Sequence, residues 1–162
     1  MNVVTLGKEV LREKAKPVEN FDAELENIIN EMFVLMDEKR GVGLAAPQVG
    51  ISRRFFITNA PDDRKRVFIN PEIIATSQET VKAEEGCLSL PGVWGNVERA
   101  VAISIQAYDV KGKLFRLNAE DWLARVIQHE YDHLDGKLFV DRMPDNARNK
   151  LISQYERMNQ GK

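Results

Sequence analysis

The sequence holds a single cysteine, Cys87, and only two histidines among its 162 residues. One cysteine cannot close an internal disulfide, so a disulfide-stapled scaffold is excluded, and the sulfur is either a small buried hydrophobe or a working ligand. Positive charge is not in excess: 23 lysines and arginines face 25 acidic residues, a net charge of −2. That balance disfavours charge-driven DNA binding and attachment to an anionic membrane surface. No run approaches the roughly 18 apolar residues of a membrane span. The first ten residues carry neither a basic-then-apolar leader nor an arginine-rich presequence, so a cytoplasmic location is expected. No period of about 20 to 50 residues recurs and no segment is low in complexity, which sets aside repeat arrays and disordered tails. What remains is one domain spanning 1–162, with 43% hydrophobic residues to build its core.

Between Asp22 and Arg40 the apolar residues Leu25, Ile28, Ile29, Met32, Phe33 and Met36 recur at helical spacing, with Asp22 placed to cap the start and Gly41 to end it. From Gly41 to Asn118 the texture changes to short runs rich in β-branched and aromatic residues. Strands are predicted at Arg54 to Thr58, Arg66 to Asn70, Glu72 to Ala75, Val97 to Tyr108 and Lys113 to Leu117. Short connections with turn chemistry, as at Pro61-Asp62-Asp63 and Lys111-Gly112, favour antiparallel pairing. A second helix is predicted from a cap at Asn118 to a stop near Asp135 and Gly136. A third runs from about Pro144 to Met158, with Leu151, Ile152, Tyr155 and Met158 on one face packed against the sheet. The fold class is α+β, with short antiparallel sheets around a central helix, an N-terminal amphipathic helix and a C-terminal helix. Arg142 to Lys162 carries five basic and two acidic residues, a net of +3, more often a solvated face than an interaction face.

The chemistry is concentrated on that central helix, in Gln128-His129-Glu130-Tyr131-Asp132-His133. Histidines four apart on a helix are about 40° apart in azimuth and can close on one metal ion. His129 and His133 share a face with Trp122 and Val126, while Glu130 borders the stripe of Leu123, Ile127 and Leu134. Both histidines therefore point into the protein. Two histidines placed at random in this chain fall four apart roughly 1% of the time, and a glutamate after the first cuts that to about 0.1%. A pair of core histidines without metal is the weaker explanation.

A catalytic metal commonly takes three protein ligands and keeps one position for water, and there is no third histidine. The candidate is Cys87 in Glu84-Glu85-Gly86-Cys87-Leu88-Ser89-Leu90-Pro91, where glycine lets the backbone approach and a metal would hold the sulfur as thiolate. A lone cysteine is commonly a buried hydrophobe. Here the polar flanks, glycine and proline suggest an exposed loop at a strand end, and the histidine pair lacks a partner. One thiolate and two imidazoles around a dication leave a net charge of +1, which suits activation of water and leaves the metal's identity open. Gly41-Val42-Gly43-Leu44-Ala45-Ala46-Pro47-Gln48-Val49-Gly50 contains no lysine and is too compact for a phosphate loop. Its small residues suit close approach of another chain, and Gln48 offers an amide donor toward a developing oxyanion. Composition alone favours a plain turn between helix and strand.

Taken together, Gly41 to Gln48, Glu85 to Ser89 and Gln128 to His133 resemble, in order and spacing, the three signature motifs of peptide deformylases. The likeness runs from about Leu11 to Arg142. The resemblance implies a metallohydrolase that removes the formyl group from N-formylmethionine of newly made polypeptides, releasing formate and a free amine. Fe2+ is the metal it implies, with Zn2+, Ni2+ or Co2+ as substitutes. By the same resemblance Cys87, His129 and His133 are the metal ligands, Glu130 the general acid/base, and Gln48 with the backbone N–H of Leu88 the oxyanion donors. Val42, Gly43 and Gly86 match positions that hold the substrate main chain as an added strand. An apolar pocket near Trp122, Val126 and His129 would take the methionine side chain. In the implied mechanism Glu130 takes a proton from the attacking water and passes it to the leaving amine. Gly7-Lys8-Glu9 stands before Val10-Leu11-Arg12 where the family often has a proline, and Trp94, in the loop after Pro91, falls in a variable region near the cleft. The C-terminal helix resembles the bacterial type, and its mild positive charge is compatible with docking on the ribosome.

Two other readings use the same residues. A zinc endopeptidase shares HExxH, and Gly136 sits where metzincins have their glycine, but the histidine required at 139 is Phe139. A glutamate-liganded peptidase would need Glu156, the only later glutamate. A non-catalytic structural metal module would need a fourth protein ligand, and no other cysteine or histidine exists.

Overall fold

Asp22 ends an extended segment and accepts a hydrogen bond from the Leu25 N–H at 3.0 Å, which starts helix α1, Ala23–Glu38. At the other end Gly41 N–H reaches Met36 O and Arg40 N–H reaches Asp37 O, the paired bonds of a Schellman turn. The left-handed residue of that turn is Arg40, at φ 56°, so the helix closes one residue before the glycine expected to end it. A computed structural model describes residues 1–160. Lys162, counted in the basic excess of the C-terminal segment, lies outside them.

Seven strands follow: β1 (Gly43–Ala45), β2 (Phe55–Thr58), β3 (Arg66–Thr76), β4 (Thr80–Cys87), β5 (Leu90–Ala100), β6 (Ala102–Tyr108) and β7 (Leu114–Glu120). They form a five-stranded antiparallel sheet in the order β1-β2-β3-β6-β7 and a separate hairpin of β4 and β5. Helix α2 (Asp121–Leu134) lies against both, and helix α3 (Asp145–Met158) closes the chain beside β5. The expected α+β class, with antiparallel sheets, a central helix and a C-terminal helix, is what the structure shows.

Phe55 and Ile57 pack with Leu25, Ile29, Met32 and Met36 of α1, whereas Phe56 packs with Ala124, Ile127 and Leu134 of α2. Both faces of β2 are thus covered, which is why an antiparallel strand reads as an unbroken apolar run. Phe56 and Phe68 stack with ring centroids 4.7 Å apart. Each such side chain, fully withdrawn from water, contributes about 1.5–3 kcal/mol. A third cluster joins the hairpin to the C-terminal segment through Leu90, Val93, Val97, Phe139, Leu151 and Tyr155.

Several boundaries differ from the sequence expectations. The runs Arg66 to Asn70 and Glu72 to Ala75 are one strand, bent at a register shift where Asn70 takes φ 48°. Its side chain accepts from Val18 N–H and donates to Val18 O, which holds the bend. Val97 to Tyr108 is two strands in different sheets, broken at Val101. The segment around Cys87 is no exposed loop: Glu85, Ser89 and Leu90 are buried, and only Leu88 and Ser89 turn between β4 and β5. Trp94 sits within β5, opposite Gly86.

Helix α2 starts two residues later than expected, its cap position being Glu120. Asn118 caps nothing and instead accepts a hydrogen bond from Ser104 across β6 and β7. At its end Gly136, at φ 73°, passes so close to the main chain that a Cβ would fall 2.5 Å from Arg12 O, which only glycine allows. On α3, Leu151 and Tyr155 are buried and Ile152 is half-buried, while Met158 is largely exposed.

Candidate metal centre

Two residues apart on β4, Glu85 and Cys87 both reach the histidines of α2. Cys87 Sγ lies 3.5 Å from His133 Nε2, and Glu85 Oε1 lies 2.8 Å from His129 Nδ1. The second contact is one in which the ring donates to the carboxylate, fixing the tautomer and freeing Nε2 as a ligand atom. Cys87, His129 and His133 offer one donor atom each within 4.8 Å of one another, the only such group among the described residues. A tetrahedral ion bound to sulfur at ~2.3 Å and nitrogen at ~2.05 Å holds those donors about 3.6 Å apart, and the observed 3.5 Å fits. The donor set of one sulfur and two imidazoles suits a divalent transition metal.

Electrostatics agree with the geometry. Burial pushes His133 well below its ordinary value, with the His129 and Arg99 charges adding to the effect, so it stays neutral and able to ligate. Burial also opposes charge on His129, but the facing Glu130, Cys87 and Glu85 outweigh it and raise the ring well above its ordinary value. Glu130 is almost fully buried, and its Oε1 has no hydrogen-bond partner among the described residues. Burial pushes its carboxyl up to about 7, the repulsion of Glu85 and Asp132 adding to burial while His129 and Arg99 oppose it. A group so placed can take up or release a proton near neutrality.

These residues open onto a cleft of about 560 Å³. Val42, Gly43, Gln48, Gly86, Leu88, Trp122 and Val126 all line it, together with Cys87, His129 and Glu130. Gly43 belongs there for a steric reason: a Cβ would meet Glu130 Cγ and Cδ at 2.9 Å, and Oε2 closer still. Gln48 is buried; its Oε1 accepts from Ala45 N–H at 3.0 Å, and its Nε2 donates to Ser89 Oγ at 3.2 Å and lies 3.5 Å from Cys87 Sγ. The plain turn favoured by composition is thus a short helical turn that aims an amide at the sulfur. On α2, Trp122 is 45% exposed and Val126 4%, so the helix face runs from solvent to interior toward His133.

The sequence reading missed what holds the histidines. The sequence places Glu85 at the head of the second motif without a partner, yet Arg99 grips it through Nε to Oε2 at 2.9 Å and Nη2 to Oε1 at 3.0 Å, and Arg125 also donates to Oε2. Arg99 Nη1 donates to Asp132 Oδ2 at 2.7 Å, and Arg142 closes on both Asp132 oxygens. Burial would raise Glu85, but the hydrogen bonds from His129 and Arg99 outweigh it and hold the carboxyl far below its ordinary value. The available signal was Asp132, a carboxylate set between two inward histidines, which needs cationic partners if it is buried. Phe139 stacks on His129 with centroids 6.1 Å apart, so the residue at the metzincin ligand position is apolar support. Glu156 is exposed and outside the donor group.

Known proteins resemble this chain along most of its length. The family model described as polypeptide deformylase matches residues 1–149. A peptide deformylase of Borreliella burgdorferi is 44% identical over 158 residues, covering 97% of this chain and 96% of its own. Peptide deformylase 1 of Clostridium perfringens is 52% identical over 134 residues, covering 82% of this chain and 90% of its own. The crystal structure of a Synechococcus elongatus peptide deformylase in complex with actinonin superposes with a TM-score of 0.91 at 39% identity, covering 96% of this chain and 87% of that one.

Proposed function

The chain belongs to the polypeptide deformylase family, and from that premise we propose how its residues divide the work. The reaction is the metal-dependent removal of the formyl group from the N terminus of nascent peptides. The observation that carries the division of roles is a buried Glu130, its Oε1 without a partner among the described residues, sharing a cleft with the Cys87 and His129 donors, His133 completing the donor group behind them.

Cys87, His129 and His133 hold a single divalent metal, Fe2+ in the cell, with Zn2+, Ni2+ or Co2+ able to replace it. The bound ion supplies Lewis-acid polarisation and a water acidic enough to react near neutral pH. Glu130 accepts the proton of the attacking water at the oxygen that has no other partner, then passes it to the amine as the C–N bond breaks. Gln48 Nε2 and the Leu88 N–H face the formyl oxygen as it gains charge. Val42, Gly43 and Gly86 take the peptide main chain as an added strand, and Trp122 and Val126 wall the pocket for the methionine side chain. Residues 1–162 act as one catalytic domain.

Work on a nascent chain places the protein in the cytoplasm beside the ribosome. No described helix is long and apolar enough to cross a membrane. Ribosome docking falls to α3, where Lys150 and Arg157 are exposed, while Arg142 is committed to Asp132. Salt-dependent co-sedimentation with ribosomes, lost on reversing Lys150 and Arg157, checks that part.

The deciding experiment measures formate release from a formyl-methionyl tripeptide, with protein purified without oxygen and loaded with ferrous or nickel ion, beside Glu130→Gln. Release by the native protein alone, with equal metal in both, supports these roles. Loss of metal from Glu130→Gln would make Glu130 a ligand instead.

A further inference from the structure

We propose that Arg142 is a positioning residue for His129, acting through Asp132, Arg99 and Glu85; this rests on His129 being a metal ligand. Arg142 lies on the 3₁₀ turn Phe139–Arg142, nine residues past the second histidine, and its side chain is 43% exposed. Nε and Nη2 donate to Asp132 Oδ2 and Oδ1 at 3.0 and 2.8 Å. Asp132 is otherwise buried, and its only further partner among the described residues is Arg99 at Oδ2.

Arg99 is shared between two carboxylates. It spends Nε and Nη2 on Glu85 and Nη1 on Asp132, and Glu85 Oε1 is in turn shared between Arg99 and His129 Nδ1. Removing Arg142 leaves Asp132 Oδ1 without a partner and Arg99 as the sole cation on a buried carboxylate. A guanidinium drawn toward Asp132 loosens its two-pronged hold on Glu85, and the carboxylate that orients the His129 ring gains freedom. The same turn carries Phe139, stacked on His129, so a second path from Arg142 ends on the same ring. Arg142 is thus the exposed end of a buried chain that terminates at a ligand.

Outer partners of a ligand commonly tune metal affinity by 10- to 100-fold; Arg142 stands further out, so a smaller effect is expected. Cobalt-loaded Arg142→Ala is compared with Arg142→Lys and with Arg148→Ala, a half-buried arginine on α3 paired with Asp145, by cobalt absorption, release of cobalt to a chelator, and kcat and KM. Arg142→Ala is expected to alter the cobalt bands, speed release by about 3- to 10-fold and lower kcat by a similar factor at unchanged KM. Arg142→Lys should recover part of each, and Arg148→Ala should match the native protein. A purely structural role would lower the unfolding midpoint and leave the cobalt bands unmoved, which overturns the proposal; so would native release from Arg142→Ala. His129→Ala serves as reference: if it also leaves the bands unmoved, the ligand assignment fails first. Should Arg142→Ala not fold, Arg142→Gln, which keeps a donor without the charge, decides by the same bands.

Discussion

Substituting alanine for Gly43 places a methyl group where the Glu130 side chain already lies. An ideal Cβ there meets Cγ and Cδ at 2.9 Å and Oε2 closer still, whereas ordinary contact begins at 3.4 Å. Both residues are buried, so the carboxylate end has to retreat by about 1 Å, a displacement that costs a catalytic group on the order of 10²-fold in rate. Overpacking of this kind costs about 1–3 kcal/mol, a fall of about 2 to 12 °C in Tm for a chain of this length. The three atoms nearest that Cβ all belong to Glu130 and none to a donor residue, so metal content should hold. The assay is formate release at saturating substrate, with metal measured on the same sample. Shortening the acid in Gly43→Ala/Glu130→Asp relieves the overlap, so the double variant should lose less than the product of the two single losses, with coupling of about 1 kcal/mol or more. A Gly43→Ala enzyme within threefold of native kcat at full metal, or losses that simply multiply, would refute the steric account.

Gln48→Ala should lose on the order of 10² to 10³ in kcat while keeping its metal. It should also unfold earlier, because the buried Ala45 N–H loses its acceptor, a cost of about 1–3 kcal/mol; native turnover would remove Gln48 from the chemistry. Gly136→Ala, with its positive φ and its Cβ 2.5 Å from Arg12 O, should lower the urea midpoint by more than any surface alanine, and an unchanged midpoint would show that the Arg12 segment moves freely. The Arg66 guanidinium, bonded to both oxygens of Asp63, holds that carboxyl below its ordinary value of 3.8. A depressed carboxylate stabilises the fold fully above its ordinary value and loses that contribution as pH falls through the lowered one. Asp63→Asn should therefore be less stable than native by about 0.2–1 kcal/mol at pH 7, the gap closing in acid; a gap that widens in acid contradicts this.

Helix α1 and its Asp22 cap were legible because a cap and a 3.6-residue apolar repeat are local signals. The histidine pair was legible for the same reason, since α2 alone brings its members together. The hairpin was harder to see. Strand β4 is half exposed, with Thr80, Val81 and Lys82 exposed in succession, and β5 runs through Pro91, Gly92 and Gly95, so neither offers the alternation that marks a half-buried strand. The break at Val101 was invisible because the strands on either side of it share composition and differ only in partner. The charges behind the histidines were missed for a related reason. Arg99 and Arg125 meet Glu85, and Asp132 meets Arg99, only after β4, β5 and α2 have packed, and in sequence each reads as an ordinary surface charge. What links Cys87 to His133 lies 46 positions apart, and it became visible only as a family pattern.

Glu85 and Cys87 are separated by one full pleat of a strand, and His129 and His133 by about one turn of a helix. The intervals inside the two motifs are therefore lengths measured with two different rulers. One residue inserted between Glu85 and Cys87 would turn one of them to the opposite side of β4, leaving either the ring of His129 unheld or the sulfur facing away. One residue inserted between His129 and His133 would swing the second ring through about 100°. Point substitutions at Gly86 or Tyr131 change what fills the gap, but a single insertion or deletion changes the phase. Length is thus the stricter constraint at this site, and insertions should be tolerated at turns away from it, such as Lys111-Gly112 between β6 and β7, and excluded from these two short intervals.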